Sequence, residues 1–357
     1  MTIYESQLAN LRAFGYTEVE ARFLYLAATH SGYFTVPQFL TFARAKSGKR
    51  NAQLVEKLFR LGHARGQRYT RRSVLYHLGS RQLYDAIGKA HLRNRRDHEL
   101  AHIKIRLLAL DYILAHPNDT YFETTDQKRA YFTERLGLSE SLFSRSKSHQ
   151  GITFADRFPL CIAYPAPDYM PVVTFTYVDP DHRELEAYIS HLRTYRPLFR
   201  QLPTFQFVYL SSASGFQNEA AKLFALLVEG TGLSDLSRYL GVRTKWNAKQ
   251  YTLVMEADLI FLNEARKHFS EPISETLYDL WRRNQLPTDL QPESGTPVTA
   301  KQKVLFRAVV VPGHEAIFGD STKRWGDGWQ IRGCSRATSP RGSLSRSIQS
   351  PQRTADA

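Results

Sequence analysis

The sequence predicts an α+β protein with an N-terminal winged helix-turn-helix, a mixed α/β domain behind it and a disordered basic tail. Three observations carry that reading. Apolar stripes at helical spacing fill residues 17–62 and give way to a hairpin signal. β-rich runs bounded by Pro, Asp and Gly begin near residue 152, with a helical segment between the second and the third. From Asp320 onward Ser, Arg, Gly and Pro dominate without periodicity. The expected divisions are therefore 1–92 for the winged helix, 93–318 for the α/β domain and 319–357 for the tail.

The elements follow in order. Thr17 is placed to cap "TEVEARFLYLAATH", where Ala21, Leu24, Tyr25 and Ala28 share a face, and Gly32 ends it. Thr35 caps "TVPQFLTFARA", with Val36, Phe39, Leu40 and Ala43 as its apolar stripe and Pro37 tolerated in the first turn. "KRNAQLVEKLFRLGHA" follows Ser47-Gly48, with Ala52, Val55, Leu58, Phe59 and Leu61 expected on the buried side. Gly66 marks a turn, Val74, Leu75 and Tyr76 a strand, and Ser80 the start of another helix. A long helix is expected from Arg93 to His116, stopped by Pro117, and a further one in "TTDQKRAYFTERLGL". "ITFADRFPLCIAY", "MPVVTFTYVD" and "FQFVYLSS" read as strands, with "HRELEAYISHLRTYRPLF" as a crossover helix. "GFQNEAAKLFALLVEG" and "ADLIFLNEARKHF" read as later helices and "KVLFRAVVV" as a last strand.

Composition bounds the function. With 42% hydrophobic and 12% aromatic residues in 357, the chain has ample material for real cores, which excludes wholesale disorder. Cys161 and Cys334 make neither a disulfide framework nor a cysteine-based zinc site. No apolar run approaches the length of a membrane span and no N-terminal apolar segment is present, so the reading is a soluble, cytoplasmic protein with no membrane partner.

The net charge of +14 is concentrated. Residues 40–110 hold 17 Lys and Arg against 4 Asp and Glu, whereas residues 151–320 hold 17 against 19. A localised positive field favours a polyanion, most simply double-stranded DNA. A winged helix puts its third helix into the major groove and its wing along the flanking backbone. That assigns DNA contacts to Lys46, Lys49, Arg50, Gln53 and Lys57 on the helix, and to Arg65, Arg68, Arg71 and Arg72 on the hairpin. A basic surface without a partner, or a winged helix that binds only protein, is the bland alternative.

His98-Glu99-Leu100-Ala101-His102 matches the H-E-x-x-H pattern, which on a helix lets two histidines hold Zn²⁺ while the glutamate activates its water. Glu123 stands downstream as a third ligand. Arg95, Arg96 and Lys104 flank the motif, and cations beside a divalent site repel the metal. Leu100, Ile103, Leu107, Leu110 and Leu114 form one apolar stripe instead, so His98 and His102 read better as packed or DNA-facing side chains.

"LVEKLFRLGHA", the basic wing, "LYHLGSRQLYDAIG" and "HELAHIKIRLLAL" together resemble the replication-relaxation family of plasmid and mobile-element proteins, over roughly residues 15–211. The resemblance implies a second domain like restriction endonucleases, a role in plasmid replication, relaxation or mobilisation, DNA as partner, and company from other replication or mobilisation proteins. It leaves homodimerisation open. An active nuclease of that kind needs acids on adjacent strands to hold Mg²⁺ and usually a lysine two residues after the second acid. The matching acids are Glu123, Asp156 and Asp179, but no lysine occurs between Lys147 and Lys222. The expectation is a nuclease-like scaffold without activity and without a cofactor. The alternatives are a Mg²⁺-dependent endonuclease, a transcriptional regulator outside mobile elements, and the zinc hydrolase.

Overall fold

The computed structural model describes residues 3–68, 74–143, 160–163, 171–180, 185–268, 271–283 and 303–311. The N-terminal part begins with helix α1 (Glu5–Ala13), which the sequence reading passed over, and α2 (Glu18–His30). Thr17 and Glu20 close a reciprocal capping box on α2: Glu20 N donates to Thr17 Oγ1 (3.3 Å) and Thr17 N to Glu20 Oε2 (2.7 Å). The helix is buried nearly all round, including the expected Ala21, Leu24, Tyr25 and Ala28, so it is the axis of this part rather than a one-faced surface helix.

Gly32 ends α2 in the left-handed region (φ +80°). The segment around Asn94 crosses directly over it, so that a Cβ at Gly32 would lie 2.2 Å from the Asn94 carbonyl oxygen. Strand β1 (Tyr33–Thr35), α3 (Val36–Phe42), α4 (Lys49–Arg60), β2 (Arg65–Arg68) and β3 (Val74–His77) follow. They form a three-stranded antiparallel sheet of order β1-β3-β2. Phe34 on β1 stacks on Tyr76 of β3 with ring centroids 5.1 Å apart. Helix α5 (Arg81–Ala86) starts after Ser80 as expected.

Two local expectations are corrected here. Leu54 and Leu58 are the buried residues of α4, whereas Ala52 is exposed and Phe59 is 49% exposed. Gly66 lies inside β2, paired with Tyr76, and not in a turn. The two corrections share a cause. Phe59 lies against the hairpin at Gly66, where a Cβ would come within 2.9 Å of the Phe59 ring.

The expected helix from Arg93 is also corrected. A single 3-10 turn covers Arg93–Arg95, and α6 begins only at Leu100 and runs to Ala115. Tertiary hydrogen bonds override local helix preference. Asn94 Nδ2 donates to the carbonyls of Ala28 (3.1 Å) and Thr29 (2.7 Å), and His98 N donates to the Tyr33 hydroxyl (3.0 Å). These bonds hold residues 94–98 against α2 and β1 in a non-helical path.

The five-stranded sheet has order β4-β5-β6-β7-β8, with β4 (Thr120–Tyr121), β5 (Leu160–Ala163), β6 (Val172–Asp179), β7 (Thr204–Ser211) and β8 (Lys303–Val310). β4, β5 and β6 pair antiparallel, and β6, β7 and β8 parallel. The parallel β6–β7 step needs a crossover, which α8 (Leu185–Gln201) supplies. Side chains alternate across β6 and β7. Phe175, Tyr177, Phe205, Phe207 and Tyr209 face α8 and the helices after it, and Val178, Val208 and Leu210 face α6. Beyond β7 come α9 (Gln217–Phe224), α10 (Leu233–Asn247), α11 (Glu256–His268) and α12 (Glu271–Arg282). The short α7 (Thr125–Ala130) is capped by Thr124, which accepts from Gln127 N.

Helix α6 belongs to both halves. Leu110 joins the N-terminal core and Ile103 and Leu107 pack on Tyr33 and Leu75, while Ile105, Leu108, Ala109, Tyr112 and Ile113 pack on the sheet. Gln38 of α3 donates to Leu107 O (3.0 Å) and Asp111 Oδ1 (2.9 Å). Buried Arg106 donates to Ser31 O (3.1 Å) and to Asn94 Oδ1. The described residues fall in one compact unit, with α6 packing on both the N-terminal core and the sheet. Among them no helix is long and apolar enough to cross a membrane. The expected tail, 319–357, lies outside the described residues.

Candidate nucleic-acid interface

Helix α4 is fixed from below by Leu54 and Leu58 and at its start by Asn51, whose Oδ1 accepts from Gly48 N (2.7 Å). The opposite face is solvent-facing and carries Lys49, Arg50, Gln53 and Arg60, with Lys46 just before it. Among the described residues none of these four cations has an ion pair. Arg68, at the end of β2, is also exposed and unpaired among them. Arg44, in the left-handed region after α3 (φ +48°), adds a cation that sequence reasoning counted only as part of a helix. Glu56 is the single acid on α4. The result is a helix with exposed cations and one long amide, beside the edge strand β2, which is chemistry for phosphates and base edges.

Two assigned DNA contacts have other partners. Lys57 Nζ lies 2.7 Å from Glu20 Oε2, with the two side chains only 22% and 4% exposed. Lys57 thus ties α4 to the cap of α2. Arg65 lies 3.1 Å from Asp97 Oδ1, and His77 Nδ1 lies 3.2 Å from the same oxygen. His77 stacks on Tyr33 (4.4 Å between centroids). Burial pulls His77 down to about 4, against the pull of Asp97, so the ring is neutral at neutral pH. Burial pushes the Tyr33 hydroxyl up to about 12. Arg71 and Arg72 lie outside the described residues.

The H-E-x-x-H segment joins the same knot. His98 precedes α6 by two residues and Glu99 by one, so the five residues do not share one helix. The two histidine rings stack at 5.9 Å, and His98 Nε2 lies 3.2 Å from Arg93 O. Among the described residues no group of three His, Cys, Asp or Glu side chains is arranged to hold a metal ion.

Of the acids matched to a nuclease site, Glu123 lies two residues after β4 and Asp179 is the last residue of β6, strands that run the same way with β5 between them. Both are held. Glu123 accepts from the Tyr25 hydroxyl (2.7 Å) and pairs with Lys89 Nζ (2.7 Å), and both of those partners belong to the N-terminal part. The Tyr209 hydroxyl donates to Asp179 Oδ2 (2.6 Å), and Asp179 is 5% exposed. Asp156 lies outside the described residues. Across the middle of the sheet, where β5 meets β6, Cys161 stands opposite Thr174 and both are buried. No family model matches the chain, and no curated protein or solved structure is significantly similar to it.

Proposed function

We propose that this protein binds double-stranded DNA through a winged helix, with α4 as the helix that enters the major groove and the β2–β3 hairpin as the wing. One observation carries the reading: on α4 and its approach, Lys46, Lys49, Arg50 and Arg60 are exposed and unpaired among the described residues, on a helix whose other face is anchored. Cations held off the surface without carboxylate partners suit phosphates, and Gln53 among them suits a base edge. The order of α2, β1, α3, α4, β2 and β3, with β3 central, supports it.

The second domain is read as a scaffold rather than a nuclease. Lys89 neutralises Glu123, and Asp179 is bonded to Tyr209. With the family resemblance, the working role is plasmid or mobile-element replication, relaxation or mobilisation in the cytoplasm. A mobility-shift assay tests the binding claim: Lys49→Glu with Arg50→Glu should sharply weaken the duplex shift while the protein stays folded. An unchanged shift would refute it. Supercoiled plasmid incubated with Mg²⁺ or Mn²⁺ should remain uncut, and protein-dependent nicking would reverse the scaffold reading.

A further inference from the structure

Helix α8 buries one face on the sheet through Tyr188, Ile189, Leu192, Tyr195 and Phe199. Its other side borders a groove of about 540 Å³ that contains Arg193, Arg196 and Arg200, with Ser190 and Gln201 beside them. None of the described residues lining the groove is Asp or Glu. This runs against the local charge balance, since residues 151–320 carry 17 Lys and Arg against 19 Asp and Glu.

Arg193 carries the argument. Its side chain is half-buried, and its Nε is shut away from water with no hydrogen-bond partner among the described residues. Desolvating part of a guanidinium with no hydrogen-bond partner or carboxylate beside it among the described residues is unfavourable, and an anion in the groove would offset part of that cost. Burial also draws Arg193 below the usual arginine range. Arg200, two turns further on, is exposed. Arg196 is 8% exposed and engaged in other contacts, so it shapes the wall of the groove. Guanidinium groups suit phosphate because two parallel N–H donors match two phosphate oxygens.

We infer that this groove is a second phosphate-binding surface, one that takes the phosphodiester backbone of nucleic acid without reading its sequence. Seven residues along α8 separate Arg193 from Arg200, a rise of about 10.5 Å at about 1.5 Å per residue. That matches roughly three rises of about 3.4 Å along a duplex axis and is too long for one small anion, so the pair fits two phosphates of a polymer better. The groove also lies on the side of the sheet opposite α6, and so on the far side from the core that α6 shares with the N-terminal part. It is not an extension of the α4 surface, and the inference stands apart from that reading.

The test uses the full chain and a short fluorescein-labelled duplex, with binding followed by anisotropy across a salt series. Arg193→Gln with Arg200→Gln should lower the steepness of log K against log salt by about 2, for any duplex sequence. Arg200→Gln alone, at an exposed position, should lower it by about 1, which guards against a folding defect in the double variant. Arg193→Lys should recover part of the loss. An unchanged slope in both glutamine variants would overturn the inference. So would thermal stabilisation by inorganic phosphate that the double variant loses while its duplex binding stays intact, because the groove would then serve a small phosphate ligand. Combining these changes with Lys49→Glu and Arg50→Glu separates the two surfaces. Residual binding that depends on Arg193 and Arg200 supports the groove even if α4 contributes nothing, and loss of all binding with the α4 changes alone refutes the groove and leaves α4 standing.

Discussion

Lys57 gives a sharp discrimination between architecture and recognition. It sits on a basic helix, and by sequence it belongs with the DNA contacts. In the fold its ammonium lies 2.7 Å from Glu20, a carboxylate only 4% exposed that also holds the cap of α2. Lys57→Met keeps the aliphatic stem and removes the charge, leaving Glu20 buried with the Thr17 amide as its remaining partner among the described residues. Breaking a fully buried pair from one side costs roughly 3–5 kcal/mol, and water at the 22% exposed lysine end reduces that to about 2 kcal/mol. For a unit of this size each kcal/mol moves Tm by roughly 2–4 °C, so a fall of about 4–8 °C is expected by calorimetry. Glu20→Gln added to Lys57→Met should recover part of the loss, because the uncompensated charge is gone. Duplex affinity and its salt slope should not change. An unaltered Tm together with a salt slope shallower by about 1 would refute the reasoning and return Lys57 to the DNA surface.

Three further outcomes follow from the same geometry. Gly32→Ala combines a left-handed backbone with a Cβ only 2.2 Å from the Asn94 carbonyl, and should cost about 3 kcal/mol or more in denaturant unfolding. Gly66→Ala should cost about 1 kcal/mol by pushing the Phe59 ring aside, and Phe59→Ala in the same chain should make that substitution nearly neutral. His77 is held neutral with its pKa lowered to about 4 from 6.5, so the unfolded chain binds the proton more readily. Its stability contribution is therefore complete above pH 6.5, falls as pH drops toward 4, and should sum to about 3 kcal/mol at most. His77→Phe should flatten that part of the stability-against-pH curve, and an unchanged curve would show that the ring does not titrate there.

What the sequence made legible is local chemistry with strong signatures. The Thr17 cap, Gly32 as a stop, Ser80 as a start and the β-run of residues 172–179 all appear where their side chains call for them. β1 was not legible because three residues between two helices carry no period, and they become a strand only by pairing with β3. α6 was misread at its start because the hydrogen bonds that hold Asn94 and His98 come from α2 and β1. Its dual role was hidden for a related reason: one apolar stripe could be seen, while Ile105, Leu108 and Tyr112 needed a sheet to pack on. In the candidate interface, the basic helix could be read from charge alone. Which cations were already paired could not, since Glu20 and Asp97 lie 37 and 32 residues from their partners. The groove on α8 escaped notice because its arginines are diluted in a segment of near-neutral charge.

The central claim, that α4 presents exposed cations to duplex DNA, is tested most directly by the salt dependence of duplex binding in the wild-type chain and in Lys49→Glu with Arg50→Glu. Five exposed cations, Lys46, Lys49, Arg50, Arg60 and Arg68, at about 0.9 per phosphate contact imply a log–log slope of about −4 to −5 from this surface. The account predicts that the double variant loses at least about 2 of that slope along with its affinity. A wild-type chain that binds no duplex at low salt, or a variant with an unchanged slope, would contradict it.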